Sequence, residues 1–81
     1  MKFSKADVAA IKATYKGEAT ADQQARALNW IIKQAAGIAD DPFDPKNARV
    51  TDYNLGRRAV GLAVARLIEM PSAAMEKVPN E

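Results

Sequence analysis

Thr51-Asp52-Tyr53-Asn54-Leu55-Gly56-Arg57-Arg58-Ala59-Val60-Gly61-Leu62 is the stretch that decides the fold class. Thr51 offers the side-chain oxygen of a helix N-cap, Asn54 stands at N3, and Asp52 suits the positive end of a helix. Behind this start, Tyr53, Gly56, Val60, Ala63, Val64, Leu67 and Ile68 recur at helical spacing. They predict a buried face on a helix over 52–69, which Pro71 then stops. A glycine inside a helix costs about 1 kcal/mol relative to alanine. Gly56 and Gly61 therefore ask for a compensating close approach, by another backbone or by a partner.

Upstream of that helix lies a long connection, residues 38–50. Pro42 and Pro45 break any helix there and bias the preceding aspartates toward extended conformation. Phe43 and Val50 are expected to fold back onto the core and pin the loop, which otherwise serves as a contact site. Before the loop, Thr20 and Gln23 form a capping box for a helix over 21–36, with Leu28, Ile31, Ile32 and Ala35 as its stripe and Gly37 at C′. Ser4 and Asp7 open an earlier helix over 5–16, whose apolar positions Val8, Ile11 and Tyr15 share a face and which Gly17 ends. Ser72 can start a short C-terminal helix, with Met75 and Val78 three residues apart. The expectation is all-α: one small three-helix domain over 1–81, with a Pro-containing loop before its last long helix.

A chain of 81 residues buries only about 60% of the surface that it exposes when unfolded, so its core is small. It has neither cysteine nor histidine. That removes disulfides, thiolate chemistry and the commonest general base and metal ligand. Oligomerisation or docking into an assembly is then the expected source of added stability. Twelve basic residues against 10 acidic give a net charge of +2, too balanced to drive nucleic-acid binding by charge alone. No apolar run approaches the ~20 residues of a membrane span, and the N-terminal residues lack the apolar segment of a signal peptide. The expected setting is a cytosol, or a particle assembled in one.

Arg57 and Arg58 are the sharpest chemical candidates. Neighbouring side chains on a helix point about 100° apart, so the two cannot serve one point contact. Three readings stay open: internal pairing with Asp40, Asp41, Asp44 or Asp52 that ties the loop down, carboxylates on a partner chain, or phosphates. Trp30, Tyr53 and Phe43 are aromatic residues of the kind that interfaces favour, and Arg49 adds a basic group beside the loop. Core packing is the other use of Trp30 and Tyr53. Asp40, Asp41 and Asp44 lack the alternation, glycine and terminal glutamate of a calcium loop. No Gly-rich phosphate loop and no nucleophile–base pair is present. Gly17-Glu18-Ala19 has the length of a helix-turn-helix connection, but Glu18 and Asp22 weaken phosphate attraction there.

Tyr15-Lys16-Gly17 leads into Gln24-Ala-Arg-Ala-Leu-Asn-Trp-Ile-Ile, followed by Phe43-Asp44-Pro45 with Arg49, and then by Asn54-x-Gly56-Arg57-Arg58-x-Val60. Through these motifs the chain, from Tyr15 to Met70, resembles a family of small helical tailed-bacteriophage proteins encoded among head and DNA-packaging genes. The resemblance implies a phage product and supplies neither an active site nor a cofactor. The leading expectation is a non-enzymatic protein that works by binding other proteins, as a small virion structural, internal or portal-proximal component. The chain would then reside in the host cytoplasm or the virion, and it could form a homo-oligomer. An early protein that binds and inhibits a host enzyme is the alternative, and a small DNA-binding protein the third. Under the leading expectation Arg57, Arg58, Arg49, Trp30, Phe43 and Tyr53 bind a partner or pin the loop, and Gly56 and Gly61 permit close packing.

Overall fold

The computed structural model describes residues 1–80. Those residues form an all-α protein without a strand. Helix α1 (Lys5–Lys16) starts from a reciprocal capping box: the Asp7 backbone N–H donates to Ser4 Oγ at 3.3 Å, and the Ser4 N–H donates to Asp7 Oδ2 at 2.8 Å. It ends at Gly17, whose φ of 73° only glycine adopts without strain. Helix α2 (Ala21–Trp30) opens with the second capping box, between Thr20 and Gln23. The two helices are antiparallel and meet through small residues, Ala10 and Ala27, both buried. Arg26 fastens the pair: its Nε donates to Asp7 Oδ1 at 2.9 Å and its Nη2 to Ser4 Oγ at 3.2 Å. The indole N–H of Trp30 donates to the Lys2 carbonyl at 2.8 Å and draws the N-terminal segment over the hairpin.

The helix expected over 21–36 keeps its extent but changes its winding. From Ile31 to Ala35 it is a π turn, in which the Ala36 N–H reaches back five residues to the Ile31 carbonyl at 2.8 Å. The Ile38 N–H then reaches Ile32 at 3.4 Å, and Gly37, at φ 66°, turns the chain away. The wider turn buries Ile32, Ala36 and Gly37 together. Of the expected stripe, Ile32 is buried and Ala35 half-buried, while Leu28 and Ile31 are exposed.

Helix α3 (Ala48–Ile68) begins earlier than expected. Asn47, not Thr51, is the N-cap: its Oδ1 accepts from the Arg49 and Val50 backbone N–H groups at 3.0 and 3.3 Å. Asparagine outranks threonine in that role. The Thr51 hydroxyl instead closes the loop, accepting from the Asp44 N–H at 2.7 Å. Pro71 stops α3 as expected, and a single turn, α4 (Ser72–Met75), follows.

Gly61 seats α3. A Cβ built at Gly61 would lie 2.5 Å from Ala36 Cβ, 2.6 Å from Ile38 Cγ2 and 3.4 Å from the Ile32 carbonyl oxygen. This is the close approach that the sequence asked of both glycines. At Gly56 there is none, since a Cβ there would meet nothing within 4 Å. Among the described residues, α3 approaches no helical segment other than the π turn, and α4 approaches none. The molecule is consequently spread out, 42 × 37 × 19 Å with a radius of gyration of 15.3 Å, against about 12 Å for a compact chain of this length. Among the described residues the buried apolar ones are Ala10, Ala27, Ile32 and Ala36, of which only Ile32 is large.

Candidate functional site

The two arginines close on the end of the π turn from one side of α3. Arg57 Nη1 donates to the Ala35 carbonyl at 3.2 Å and its Nη2 to Asn54 Oδ1 at 3.4 Å, while Arg58 Nε donates to the Ile38 carbonyl at 3.3 Å. Residues pointing about 100° apart thus straddle the Gly37 turn and take carbonyls on either side of it. Helix C-termini carry unsatisfied carbonyls and a partial negative charge, which guanidinium groups complement. Both arginines are bound within the chain, but to backbone carbonyls and Asn54 and not to the aspartates of the expected loop-tying pairing. No ion pair joins either arginine to Asp40, Asp41, Asp44 or Asp52 among the described residues. Asp41 and Asp44 have a local task instead, accepting from the Phe43 N–H at 3.0 Å and the Lys46 N–H at 2.8 Å and so shaping the loop.

Of the other expected site residues, Trp30 is half-buried and bound to Lys2, so it holds this chain's own terminus. Phe43 and Arg49 are exposed. Phe43 does not fold back onto the core, because Asn54 Nδ2, donating to the Pro42 carbonyl at 3.2 Å, and Thr51 pin the loop in its stead. Tyr53 is exposed too, with the Arg57 guanidinium carbon 5.6 Å from its ring centroid. That contact braces Arg57. Spacing marks Asn54 only as an N3 residue, and residue-type and spacing cues did not single out Asn47 or the Arg26–Asp7 pair. The cap preference of asparagine was the one available signal among these.

The larger departure concerns α3 itself. The face expected to be buried is the outward one: Tyr53, Val60 and Leu67 are 66%, 64% and 68% exposed. These residues recur every seven positions, with exposed Gly56 and Ala63 set between them and Ile68 alongside. The inward face is the row of Asn54, Arg57, Arg58 and Gly61, a small and polar set that periodicity of apolar residues passes over. Gly61 is one residue from Val60, about 100° around the axis, so seating α3 leaves its apolar stripe uncovered. One edge of the stripe carries Asp52 near the N-terminal end and Arg66 near the C-terminal end.

Around Trp30 a second apolar surface, a groove of about 280 Å³, is lined by Phe3, Val8, Ile11 and Lys12. No group of histidine, cysteine, aspartate or glutamate able to hold a metal occurs among the described residues, and no helix there is long and apolar enough to cross a membrane. No known protein family, curated protein or solved structure matches this chain.

Proposed function

We propose that the chain works by binding protein through the outward face of α3, as a small non-enzymatic component of a tailed-phage particle. One observation carries the binding part: Tyr53, Val60 and Leu67 stand exposed in a continuous seven-residue repeat on a 21-residue helix. Contiguous apolar surface of this kind marks interaction sites. A core with one large buried residue gives the chain a second reason to associate, since covering such surface adds the stabilisation that its own interior lacks. The arginines serve this reading indirectly: with Gly61 they hold α3 at a fixed angle and present its stripe. The phage setting comes from the resemblance of Tyr15–Met70 and from nothing in the geometry.

Mass spectrometry of purified particles of the phage encoding this chain tests both parts. The chain is expected in the particle in many copies, and Val60→Asp is expected to deplete it. Absence of the unaltered chain from intact particles overturns the virion setting. Full incorporation of Val60→Asp overturns the use of α3.

A further inference from the structure

We infer that the partner of the α3 stripe is α3 of a second copy of this chain, laid antiparallel about a two-fold axis near Ala59 and Val60. The inference rests on the protein-binding reading above and names its occupant. Asp52 and Arg66 each immediately precede a stripe residue, Tyr53 and Leu67, and so lie along one edge of the stripe. They have opposite charge and are about 21 Å apart along the helix. An antiparallel second copy centred between them places each Asp52 opposite Arg66 of the other copy, so the complementary pair forms twice. A parallel two-fold copy would put the two charged edges on opposite sides of the seam and leave Asp52 and Arg66 unpaired with each other.

The apolar residues put the axis within about one residue, ~1.5 Å, of the point midway between Asp52 and Arg66. Antiparallel pairing sets Val60 against Val60, Tyr53 against Leu67 and Gly56 against Ala63, a large residue always meeting a large one and a small one a small one. Gly56 then has the purpose that the isolated chain denies it. Its missing side chain, open to solvent in the monomer, lets the two helices come close at the seam, as small residues do wherever helices cross tightly. Helix dipoles also favour the antiparallel sense. A single pair of helices in contact over about 21 Å makes a small interface, of the class in which complexes are weak and transient. The dimer is therefore expected to titrate in the micromolar range.

Sedimentation equilibrium of the full chain from about 1 to about 500 µM is expected to show a monomer–dimer equilibrium. Val60→Asp is expected to weaken it by about tenfold or more, with the helical circular dichroism unchanged because Val60 is exposed in the monomer. Asp52→Arg alone should weaken the dimer, and Asp52→Arg with Arg66→Asp should restore it. The native chain has no cysteine, so Ala59→Cys is expected to crosslink across the axis and Arg49→Cys, far from it, is not. A monomer throughout the series overturns the inference, and particle incorporation of Val60→Asp then judges the broader reading separately. Crosslinking through both cysteines, or no restoration by the double swap, overturns the antiparallel arrangement.

Discussion

Gly61 and Ala36 touch so closely that a single added carbon at Gly61 would stand 2.5 Å from Ala36 Cβ. This contact between α3 and the π turn is the joint of the molecule. Gly61→Ala is expected to destabilise the chain by about 1–3 kcal/mol through overpacking, less the roughly 1 kcal/mol that alanine gains in a helix. Gly56→Ala, with open space around it, is expected to stabilise by about 0.5–1 kcal/mol. Urea unfolding at a concentration where the chain is monomeric separates the two. A loss at Gly56 equal to that at Gly61 would contradict the joint's location.

Arg57 and Arg58 bind backbone carbonyls of Ala35 and Ile38, so removing them should cost stability and not only assembly. Arg57→Ala with Arg58→Ala is expected to lower stability by about 1–3 kcal/mol, the range for hydrogen bonds made by charged groups to partly buried acceptors. Arg57→Lys should restore little, because an ammonium cannot span the Ala35 carbonyl and Asn54 together. Thermal melts of the isolated chain read this directly. An unchanged midpoint would return the arginines to a partner.

Acid should loosen the α1–α2 hairpin through Asp7. The Ser4 backbone N–H, then Arg26 and the Ser4 hydroxyl, hold its carboxyl below the ordinary aspartate range against an opposing effect of desolvation. A carboxylate with a depressed folded pKa contributes stability that is full above its unfolded pKa, about 3.9. That contribution declines as the pH falls below this value and through the folded pKa. The expected result is a melting midpoint that falls below about pH 4 more steeply in the native chain than in Asp7→Asn. Parallel pH profiles would show that the hairpin does not depend on this charge.

The single tryptophan gives an optical test of the N-terminal segment. Trp30 is half-buried and donates to the Lys2 carbonyl at 2.8 Å, with Phe3 lining the same groove. Removing residues 1–3 is expected to shift its emission to the red and raise its quenching by acrylamide, with α1 and α2 still folded. Emission that stays unchanged would mean that Trp30 is shielded by other groups.

Local chemistry was the legible part of this fold. Ser4 with Asp7, Thr20 with Gln23, Gly17, Gly37 and Pro71 mark helix ends through their own backbone preferences, and each acts where its residue type says it should. Packing direction was not legible on α3. Apolar periodicity names a face without saying whether the chain itself covers it, and this chain leaves Tyr53, Val60 and Leu67 exposed. Gly61 and the arginines of the real seat carry no apolar signal. On α2 the contact with α1 buries Ala27 and leaves Leu28 exposed, and beyond it the extra winding of the π turn brings Ala36 inward with Ile32.

That winding has a mechanical consequence. A π turn holds one residue more than the α-turn it replaces, so the seat that Ile32 and Ala36 offer to Gly61 depends on a single residue between Ile31 and Ala35. Deleting one residue there would rotate Ala36 by about 100° and withdraw that seat, while α1 and α3 keep their own caps. The chain is thus built as a bracket, two arms of ordinary helix that bear on one uncommon turn.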